Sequence, residues 1–552
     1  MRLLSFMARS SKGWAALAVC AGIVAGVSNG ALLALVNSLL GTAWDRRGAL
    51  LWPYAGLCLL MLLSRTTSEI LLLRLSHKAS FRLRMELSRR ILATPLRRLE
   101  ELGTHRLLAT LTEDIPVIAE TLSGLAVVCM QVTVVASVLV YLGWLSPTLL
   151  LWVLGFMTLG VVTYQVVMSR GLRRLRLVRE LWDSLVGSYR AITEGVKELQ
   201  LHYPRRRQFL EQVLAPTAEA VRRHNVGAIS MIIAASSWGH LLFFILIGVL
   251  LFVAGGGPAE DARTLTGYVI AILYLIGPLQ IILNLVPGLG RAGVAVRKIE
   301  QLGLSLAPAG ADAAPPPAAP PWERLELAGV THVYRQEREN SSFMLGPIDL
   351  TFRPGELVFL VGGNGSGKTT MAKLLVGLYA PESGEVRLNG LAVTDAGREA
   401  YRQHFSVIFS DFFLFPTLLG LPAEGLDARA RDYLERLHLD RQVRLDEGEL
   451  STTDLSRGQR KRLALLTAYL EDRPFYVFDE WAADQDPLFK EIFYLQLLPE
   501  LKARGKTVLA ISHDDHYYHL ADRVIKLDYG KIESDTPARD FSYAARPAPV
   551  AT

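Results

Sequence analysis

Six long apolar segments in the first half of the chain set the strongest limit on its fold. Each contains at least the roughly 20 mostly apolar residues that a helix needs to cross a bilayer. Lipid offers peptide groups no hydrogen-bonding partner, so such segments are predicted to be helical. Charged residues make up only 20% of the chain, below the roughly 25% of soluble domains. We therefore predict a six-helix membrane domain over residues 1–305, with spans near 14–40, 49–73, 117–142, 146–169, 226–253 and 264–287.

The connections between these segments differ sharply in charge. Arginine and lysine are concentrated in the second-to-third and fourth-to-fifth connections, whereas the opposite loops hold little beyond Arg46, Arg47 and Arg263. Basic connections stay on the cytoplasmic side of a membrane. We therefore expect both long connections and both chain ends in the cytoplasm. By the same rule we attribute the net charge of +6 to the basic connections on the cytoplasmic side of the membrane, and we expect no nucleic-acid partner.

Both long connections also show helical spacing of their apolar residues, which predicts that several spans continue as helices beyond the bilayer. Each connection is interrupted once, around 102–111 and around 195–202. We expect a short transverse helix at each interruption, as a contact to a cytoplasmic domain.

Polar residues inside the apolar segments are costly in lipid and therefore informative. Arg65 and Glu69 lie four residues apart, as do Gln280 and Asn284, and His240 adds another polar point. Such residues either line a polar substrate cavity or hydrogen-bond one helix to another. For Arg65 and Glu69 the cavity interpretation is favoured, because charged side chains in a membrane usually face water or a partner.

An alanine- and proline-rich stretch at 306–321 marks the boundary of the membrane domain. Its composition predicts a semi-rigid spacer. From Leu325 onwards short strand and helix patterns alternate, which is typical of an α/β domain. The predicted fold is thus an α-helical six-span membrane domain followed by an α/β ATPase domain at 322–540, with a C-terminal tail at 541–552.

The α/β region contains the sequence GGNGSGKT, which matches the phosphate-binding loop of P-loop NTPases. An apolar run suited to a buried strand precedes it, and a helical run follows it. The glycines let backbone N–H groups point at phosphate oxygens, and the helix N-terminus favours their negative charge. The candidate ATP-binding residues here are Gly362, Gly363, Asn364, Gly365, Ser366, Gly367, Lys368, Thr369 and Thr370.

A second motif, FYVFDE, places two carboxylates after four apolar residues. With a phosphate loop in the same domain, Asp479 is predicted to hold Mg²⁺ and Glu480 to polarise the attacking water. His513 follows another predicted strand, where it could touch the γ-phosphate. His513, His516 and His519 recur every three residues, but without a completing cysteine or carboxylate a surface helix is a simpler interpretation than a metal site.

A third motif, LSRGQ, precedes a helical run and is a further candidate anion-binding helix start. Its residues are Leu455, Ser456, Arg457, Gly458 and Gln459.

Together, the phosphate loop, LSRGQ, FYVFDE and the histidine in ISHD resemble the ABC transporter superfamily. Six spans followed by one ATPase domain resemble an exporter-type half-transporter. The stretches FSDFFLF, EGVKELQLH and EDRPFYVFDEWAADQDPLFK are similar to those of the cyclic peptide and siderophore export family, which includes pyoverdine, syringomycin and microcin-related exporters.

This resemblance implies roles for individual residues. Tyr334 takes the adenine-stacking position, although an ordinary strand-end tyrosine is an equally good interpretation from the residues alone. Glu480 takes the position of the catalytic base, Asp486 that of the D-loop acid and His513 that of the switch histidine. Ser410 stands where the family usually has a Q-loop glutamine, and its hydroxyl would join Thr369 and Asp479 around Mg²⁺.

The resemblance also implies a function. A homodimer in the bacterial inner membrane would use ATP and Mg²⁺ to export a cyclic or nonribosomal peptide, siderophores included, by alternating access. Two alternatives stay open at this stage: a lipid or multidrug flippase on the same scaffold, and a non-transporting membrane ATPase that regulates a partner protein.

Overall fold

The computed structural model describes residues 12–40, 48–252, 262–301, 321–336, 341–422 and 424–541. The chain forms two compact units, one of Met1–Leu92 with His105–Ala307 and one of Ala93–Thr104 with Pro308–Thr552. The linker expected at 306–321 lies outside the described residues up to 320, and the expected tail at 541–552 lies outside them after Phe541.

The first unit is helical, and six of its described helices are long and apolar enough to cross a membrane. The longest, at 48 residues, reaches about 70 Å at 1.5 Å per residue, roughly twice the 30 Å hydrocarbon core. The long helices therefore extend well beyond a bilayer. In chain order the α-helices up to residue 301, of which α3 belongs to the second unit, are α1 (Lys12–Leu40), α2 (Leu51–Ala93), α3 (Leu96–Leu102), α4 (Thr104–Ala109), α5 (Ile115–Leu145), α6 (Pro147–Glu194), α7 (Val196–Leu201), α8 (Tyr203–Gln208), α9 (Ala215–Phe252) and α10 (Ala262–Gln301).

Two π-helical turns, Thr110–Asp114 and Phe209–Leu214, lead into α5 and α9. The short helix expected around 102–111 corresponds in position to α4, and a further short helix, α3, precedes it. Pro95 precedes α3, and Gly103 ends it at φ 80°. Pro95 has the fixed φ that suits the start of a helix, and glycine tolerates a positive φ at its end. The second short helix, α7, lies where the interruption around 195–202 was expected.

Helix α1 packs closely on α5 through small residues. Gly22, Gly26 and Gly30 recur every four residues along α1, and the Ser137 hydroxyl of α5 donates to the Gly26 carbonyl at 2.7 Å. A Cβ on Gly26 would lie 2.7 Å from the Cγ2 atom of Thr133. Helices in membranes associate through such small-residue contacts, because lipid removes the hydrophobic drive for helix pairing.

Two further polar residues of α1 connect helices. The Asn29 Oδ1 atom accepts from the Tyr274 hydroxyl of α10 at 2.7 Å. The Asn37 Nδ2 atom donates to the Tyr141 hydroxyl of α5 at 3.0 Å. These asparagines therefore serve helix-to-helix hydrogen bonding, one of the two uses open for polar residues in the spans.

The described residues of the second unit form an α/β domain with three sheets. The largest sheet has six strands, the next has four antiparallel strands, and the third is a two-stranded antiparallel pair. The strands are β1 (Leu325–Gln336), β2 (Ser341–Phe352), β3 (Leu357–Val361), β4 (Ser383–Leu388), β5 (Leu391–Ala392), β6 (Phe405–Ile408), β7 (Leu445–Asp446), β8 (Glu449–Leu450), β9 (Phe475–Asp479), β10 (Thr507–Ile511), β11 (Arg523–Asp528) and β12 (Lys531–Pro537). The α-helices of this unit are α11 (Lys368–Leu375), α12 (Arg398–Arg402), α13 (Leu426–Arg436), α14 (Arg457–Glu471), α15 (Pro487–Glu491) and α16 (Leu498–Ala503).

The six-stranded sheet runs in the order β12-β11-β3-β10-β9-β6, and all its pairs except β12 with β11 are parallel. Every residue of β3, β9 and β10 is buried, as expected for a parallel sheet covered on both faces. Since β3, β6, β9 and β10 are parallel, their carboxyl ends meet along one edge. Ligand sites in open α/β sheets form outside such an edge.

The close approach of α1 to α5 leads to a testable prediction. Gly26→Val should lower the unfolding temperature of the detergent-solubilised protein, because its methyl groups have no room beside Thr133. Gly56→Val in α2 is the matched control, because a Cβ there meets nothing within 4 Å. Equal unfolding temperatures for the two variants would contradict the packing role assigned to Gly26.

Candidate nucleotide site and membrane cavity

The phosphate loop connects buried strand β3 to helix α11. Two of its glycines sit where a side chain would not fit. A Cβ on Gly362 would lie 2.1 Å from the Leu527 carbonyl oxygen, and Gly367 has φ +101° with Phe343 and Leu345 close by. The loop therefore holds a shape that only glycine permits at these positions, directly before a helix N-terminus.

Lys368 begins α11 and turns back into the loop. Its side chain is buried, and its Nζ atom donates to the Gly362 and Gly363 carbonyls at 3.0 and 2.9 Å. Burial lowers the pKa of the Lys368 ammonium, while Glu480 and Asp479 oppose that shift. The neighbouring Ser366 hydroxyl is buried without a hydrogen-bonding partner. A buried cation beside an unpaired hydroxyl is a suitable environment for phosphate oxygens.

Asp479 ends β9 beside the start of α11. The Thr369 hydroxyl donates to its Oδ2 atom at 2.9 Å, and its Oδ1 atom is buried without a partner. Burial raises the pKa of the Asp479 carboxyl above its ordinary value, and Thr369 and Ser410, which lie against it, oppose that rise. A hard divalent cation suits this set of oxygens, so Asp479 and Thr369 would hold Mg²⁺, with Ser410 beside them. The ion would supply charge neutralisation to bound phosphates.

Glu480 directly follows Asp479 and has a left-handed backbone, with φ +51°. Its N–H donates to the Ile511 carbonyl, and its Oε1 atom lies 3.2 Å from the Nε2 atom of His513. Both side chains stay partly exposed, so water reaches the carboxylate. A carboxylate next to an imidazole at the edge of a phosphate site can accept a proton from an attacking water.

The other two histidines of the repeat lie in a 3₁₀ helix, Asp515–Leu520. Within the described ranges, no group of three or more His, Cys, Asp or Glu side chains could hold a metal ion.

The LSRGQ motif forms the start of α14. Ser456 caps this helix by accepting from the Gln459 N–H, and the Gln459 side chain accepts from the Ser456 N–H in return. A Cβ on Gly458 would lie 3.0 Å from the Asp484 carbonyl oxygen. Within the described part of the chain, no hydrogen bond or ion pair joins this motif to the phosphate loop.

The remaining predicted residues have separate surroundings. Tyr334 lies in β1 opposite Phe343, and its side chain is outside the described features. Asp486 caps α15 by accepting from the Phe489 N–H at 3.0 Å. Asn364, Gly365 and Thr370 lie within the loop and the first turn of α11 as expected from the motif.

Two sets of contacts near the site were not predicted from the sequence. The first ties α3 to this unit: Glu100 accepts from Lys373 of α11 at 2.7 Å and from the Tyr379 hydroxyl, and Arg97 pairs with Glu382 at 2.8 Å. The second surrounds Lys461, which stands between Arg460 and Arg462 in the first turns of α14. Nothing in the sequence distinguishes this lysine from its basic neighbours, so its buried position could not be predicted.

A cavity of about 350 Å³ lies among α6, α9 and α10 of the first unit. Its walls are mainly aliphatic and aromatic, and its polar lining includes Tyr164, Ser236, Gln280 and Asn284. His240 is hydrogen-bonded to Gln280 at 2.7 Å. Arg65 and Glu69 instead pair with each other along α2 at 3.0 Å, and neither lines this cavity.

Comparison with known proteins places these features in context. The family model described as "ABC transporter transmembrane region" matches residues 14–279, and the model described as "ABC transporter" matches residues 345–483. The chain is 38% identical over 529 residues to "ATP-binding protein SyrD" of Pseudomonas syringae pv. syringae, covering 93% of each protein.

More distant relatives carry a different name. The chain is 28% identical over 455 residues to an "ATP-dependent lipid A-core flippase" of Alkalilimnicola ehrlichii, covering 77% of this chain and 74% of that protein. It is 26% identical over 557 residues to a protein of the same name from Burkholderia pseudomallei, covering 96% of this chain and 90% of that protein.

The geometry around Glu480 leads to a second prediction. Glu480→Gln keeps the size of the side chain but cannot accept a proton, so ATP turnover should fall by about 10²-fold or more while ATP still binds. Phosphate release and equilibrium binding of a fluorescent ATP analogue measure the two effects. Glu435→Gln on the exposed side of α13 is the matched control and should leave turnover unchanged. Wild-type turnover in Glu480→Gln would remove Glu480 as the base.

Proposed function

Because the chain belongs to the ABC transporter superfamily as an exporter-type half-transporter, we propose that it exports a cyclic or nonribosomal peptide, siderophores included, as an ATP-driven homodimer. The observation that carries the transporter assignment is the 38% identity to SyrD along 93% of the chain. The peptide is inferred from the family resemblance of the ATPase domain together with the chemistry of the membrane cavity.

The dimer is inferred from the composition of the nucleotide site. The chain has one GGNGSGKT loop and one LSRGQ motif for its six spanning helices. In ABC ATPases each ATP lies between the loop of one ATPase domain and the signature of another. Two copies of this chain would therefore complete two equivalent sites, with Ser456 and Gln459 of each copy facing the nucleotide of its partner.

Transmission to the membrane helices is inferred from α3, which lies in the chain between spanning helices α2 and α5. Its Glu100 is paired with Lys373 on α11, the same helix whose first residue is Lys368 of the phosphate loop. Movement of the loop and α11 on ATP binding would therefore displace α3, and through it the chain segments that lead into spanning helices α2 and α5. The positive-inside rule orients this segment and the ATPase domain towards the cytoplasm of the bacterium.

The cavity chemistry supports a peptide-like substrate. Amphipathic peptides present apolar side chains together with amide groups, and a largely apolar cavity with a few hydrogen-bonding groups suits both. Gln280 and Asn284 offer donors and acceptors to backbone amides, and Tyr164 and Phe156 offer aromatic surface. Arg65 and Glu69 would add a charged patch elsewhere along the translocation path.

A lipid flippase is the second candidate. Two observations favour it: the name of the relatives at 26–28% identity, and the mainly apolar walls of the cavity. The candidates differ in what Gln280 should do, because a lipid chain gains nothing from an amide in an apolar wall, whereas a peptide does.

This difference provides the test. In reconstituted vesicles, cyclic peptides from a panel that includes siderophores should stimulate ATP hydrolysis and accumulate inside inverted vesicles, with no accumulation for Glu480→Gln. Gln280→Leu should weaken stimulation by the active peptide by about tenfold, through loss of its hydrogen bonds. Gln165→Leu is the matched control, since Gln165 is exposed on α6 and does not line the cavity. Stimulation by lipids alone, unaffected by Gln280→Leu, would favour the flippase and contradict the peptide.

A further inference from the structure

Lys461 is a buried cation close to the catalytic edge of the sheet. Its side chain is only 2% exposed, although it lies in α14 just two residues after the LSRGQ motif, at a position to which no sequence motif assigns a role. A lysine is almost never so completely buried unless its charge is paired. The groups that pair with the Lys461 ammonium therefore indicate what this residue does.

Two acceptors converge on the Lys461 ammonium. The Glu480 carbonyl oxygen lies 2.7 Å from Nζ, and the Asp484 Oδ2 atom also lies 2.7 Å away. The hydrogen bond from Lys461 holds the pKa of the Asp484 carboxyl below its ordinary value. The same carboxylate is 3.2 Å from the Nε atom of Arg457, the third residue of LSRGQ. A single ion network therefore joins the backbone of Glu480 to the signature motif.

Further contacts hold the segment after Glu480 against the start of α14. The Trp481 indole N–H donates to the Lys461 carbonyl at 2.8 Å, and Trp481 stacks on Phe493 with ring centroids 4.4 Å apart. The Gln485 amide donates to the Gly458 carbonyl at 3.0 Å. The 3₁₀ helix Trp481–Asp484 is thus bound along its length to the first turns of α14.

The backbone of Glu480 needs such support. A residue other than glycine in the left-handed region costs free energy and persists only where its surroundings enforce it. The Glu480 N–H is fixed by Ile511 and its carbonyl by Lys461, so both of its peptide groups are held. This conformation directs the Glu480 carboxylate to His513, at 3.2 Å.

We propose that Lys461 is a positioning residue, which holds Glu480 in its left-handed conformation and, through Asp484, ties it to Arg457 in the signature motif. Under the proposed function, on which this second part rests, Glu480 serves the ATP of its own subunit while Arg457 faces the ATP of the partner. Lys461 and Asp484 would then couple the ATP site of one subunit to the ATP site of its partner.

The test is the basal ATPase activity of the full-length protein, measured without peptide so that it is independent of the substrate assignment. Lys461→Met removes the charge but keeps an unbranched side chain of similar length. Because a small displacement of a catalytic group is enough to slow chemistry, kcat should fall by about 10- to 100-fold while KM for ATP stays within about threefold.

Lys506→Met is a closely matched control. The Lys506 ammonium donates to the Asp472 carbonyl at 3.1 Å and pairs with its Oδ1 atom at 2.9 Å, and Asp472 also has a positive φ of 49°. This lysine repeats the same bonding pattern where β10 begins and α14 ends, away from the carboxyl ends of the strands. Lys506→Met should lose comparable stability yet keep kcat within about twofold.

Asp484→Asn gives a second, independent variant, since Asp484 is partly exposed and its replacement keeps the side-chain volume. It should lower kcat in the same direction, and the double variant with Lys461→Met should be no slower than Lys461→Met alone, because both act through one network. If Lys461→Met does not fold, the kcat of Asp484→Asn decides the question.

Unchanged kcat in Lys461→Met, or in Asp484→Asn should the first variant not fold, would overturn the proposal, as would an equal loss in Lys506→Met. A loss of kcat with full additivity of the two variants would overturn the shared network. If Glu480→Gln itself stays active, the base assignment fails. If hydrolysis is normal but peptides do not stimulate it, the substrate assignment fails, and the Lys461 result stands.

Discussion

The parallel pairing of β3, β10, β9 and β6 is the constraint on which the rest of the ATPase domain depends. It brings the carboxyl ends of four strands to one edge, and each end delivers one part of the site: the phosphate loop, Ser410, the pair Asp479 and Glu480, and His513. From Gly362 to His513 these residues span 151 positions of the chain, and the hydrogen-bond ladder brings them to one edge. Strands β3, β9 and β10 are buried throughout, so a change of register would place polar groups in the core.

At this edge of the sheet, two buried charged side chains favour the binding of a ligand that would pair with both. Lys368 is buried against backbone carbonyls, and Asp479 is buried with one oxygen unpaired. Burial makes both charged forms less favourable, as their pKa shifts indicate. A bound triphosphate with its cation would relieve both costs together, since it supplies anionic oxygens to the lysine and positive charge to the carboxylate. Under the proposed function, the binding free energy gained in this way would be available to move α3, which is bound to α11 through Glu100 and Lys373.

Much of this could be predicted from the sequence, for identifiable physical reasons. Apolar length indicated the spanning helices, and motif spacing indicated the neighbours of Lys368 and Asp479, because both signals are local in the chain. Helix α3 was not predicted, since its ends depend on the backbone angles of Pro95 and Gly103 and its position on the contact of Glu100 with Lys373. The polar residues of the spans were equally ambiguous: Asn29 and Asn37 hydrogen-bond helices together, whereas Gln280 and Asn284 line a cavity. The pairing of Lys461 with Asp484 spans 23 positions and becomes visible only once α14 is packed.

Under the proposed function, each chain carries two half-sites that are completed by another copy. The most direct measurement is ATP-dependent cross-linking of two differently tagged chains, one with Asn364→Cys in the exposed part of the phosphate loop and one with Ser456→Cys, after Cys20, Cys58 and Cys129 are replaced by alanine. With a short bifunctional thiol reagent and ATP, in the Glu480→Gln background, we expect efficient cross-links between the two tagged chains and few without nucleotide. Cross-links that form only within one chain, or that do not depend on ATP, would contradict it.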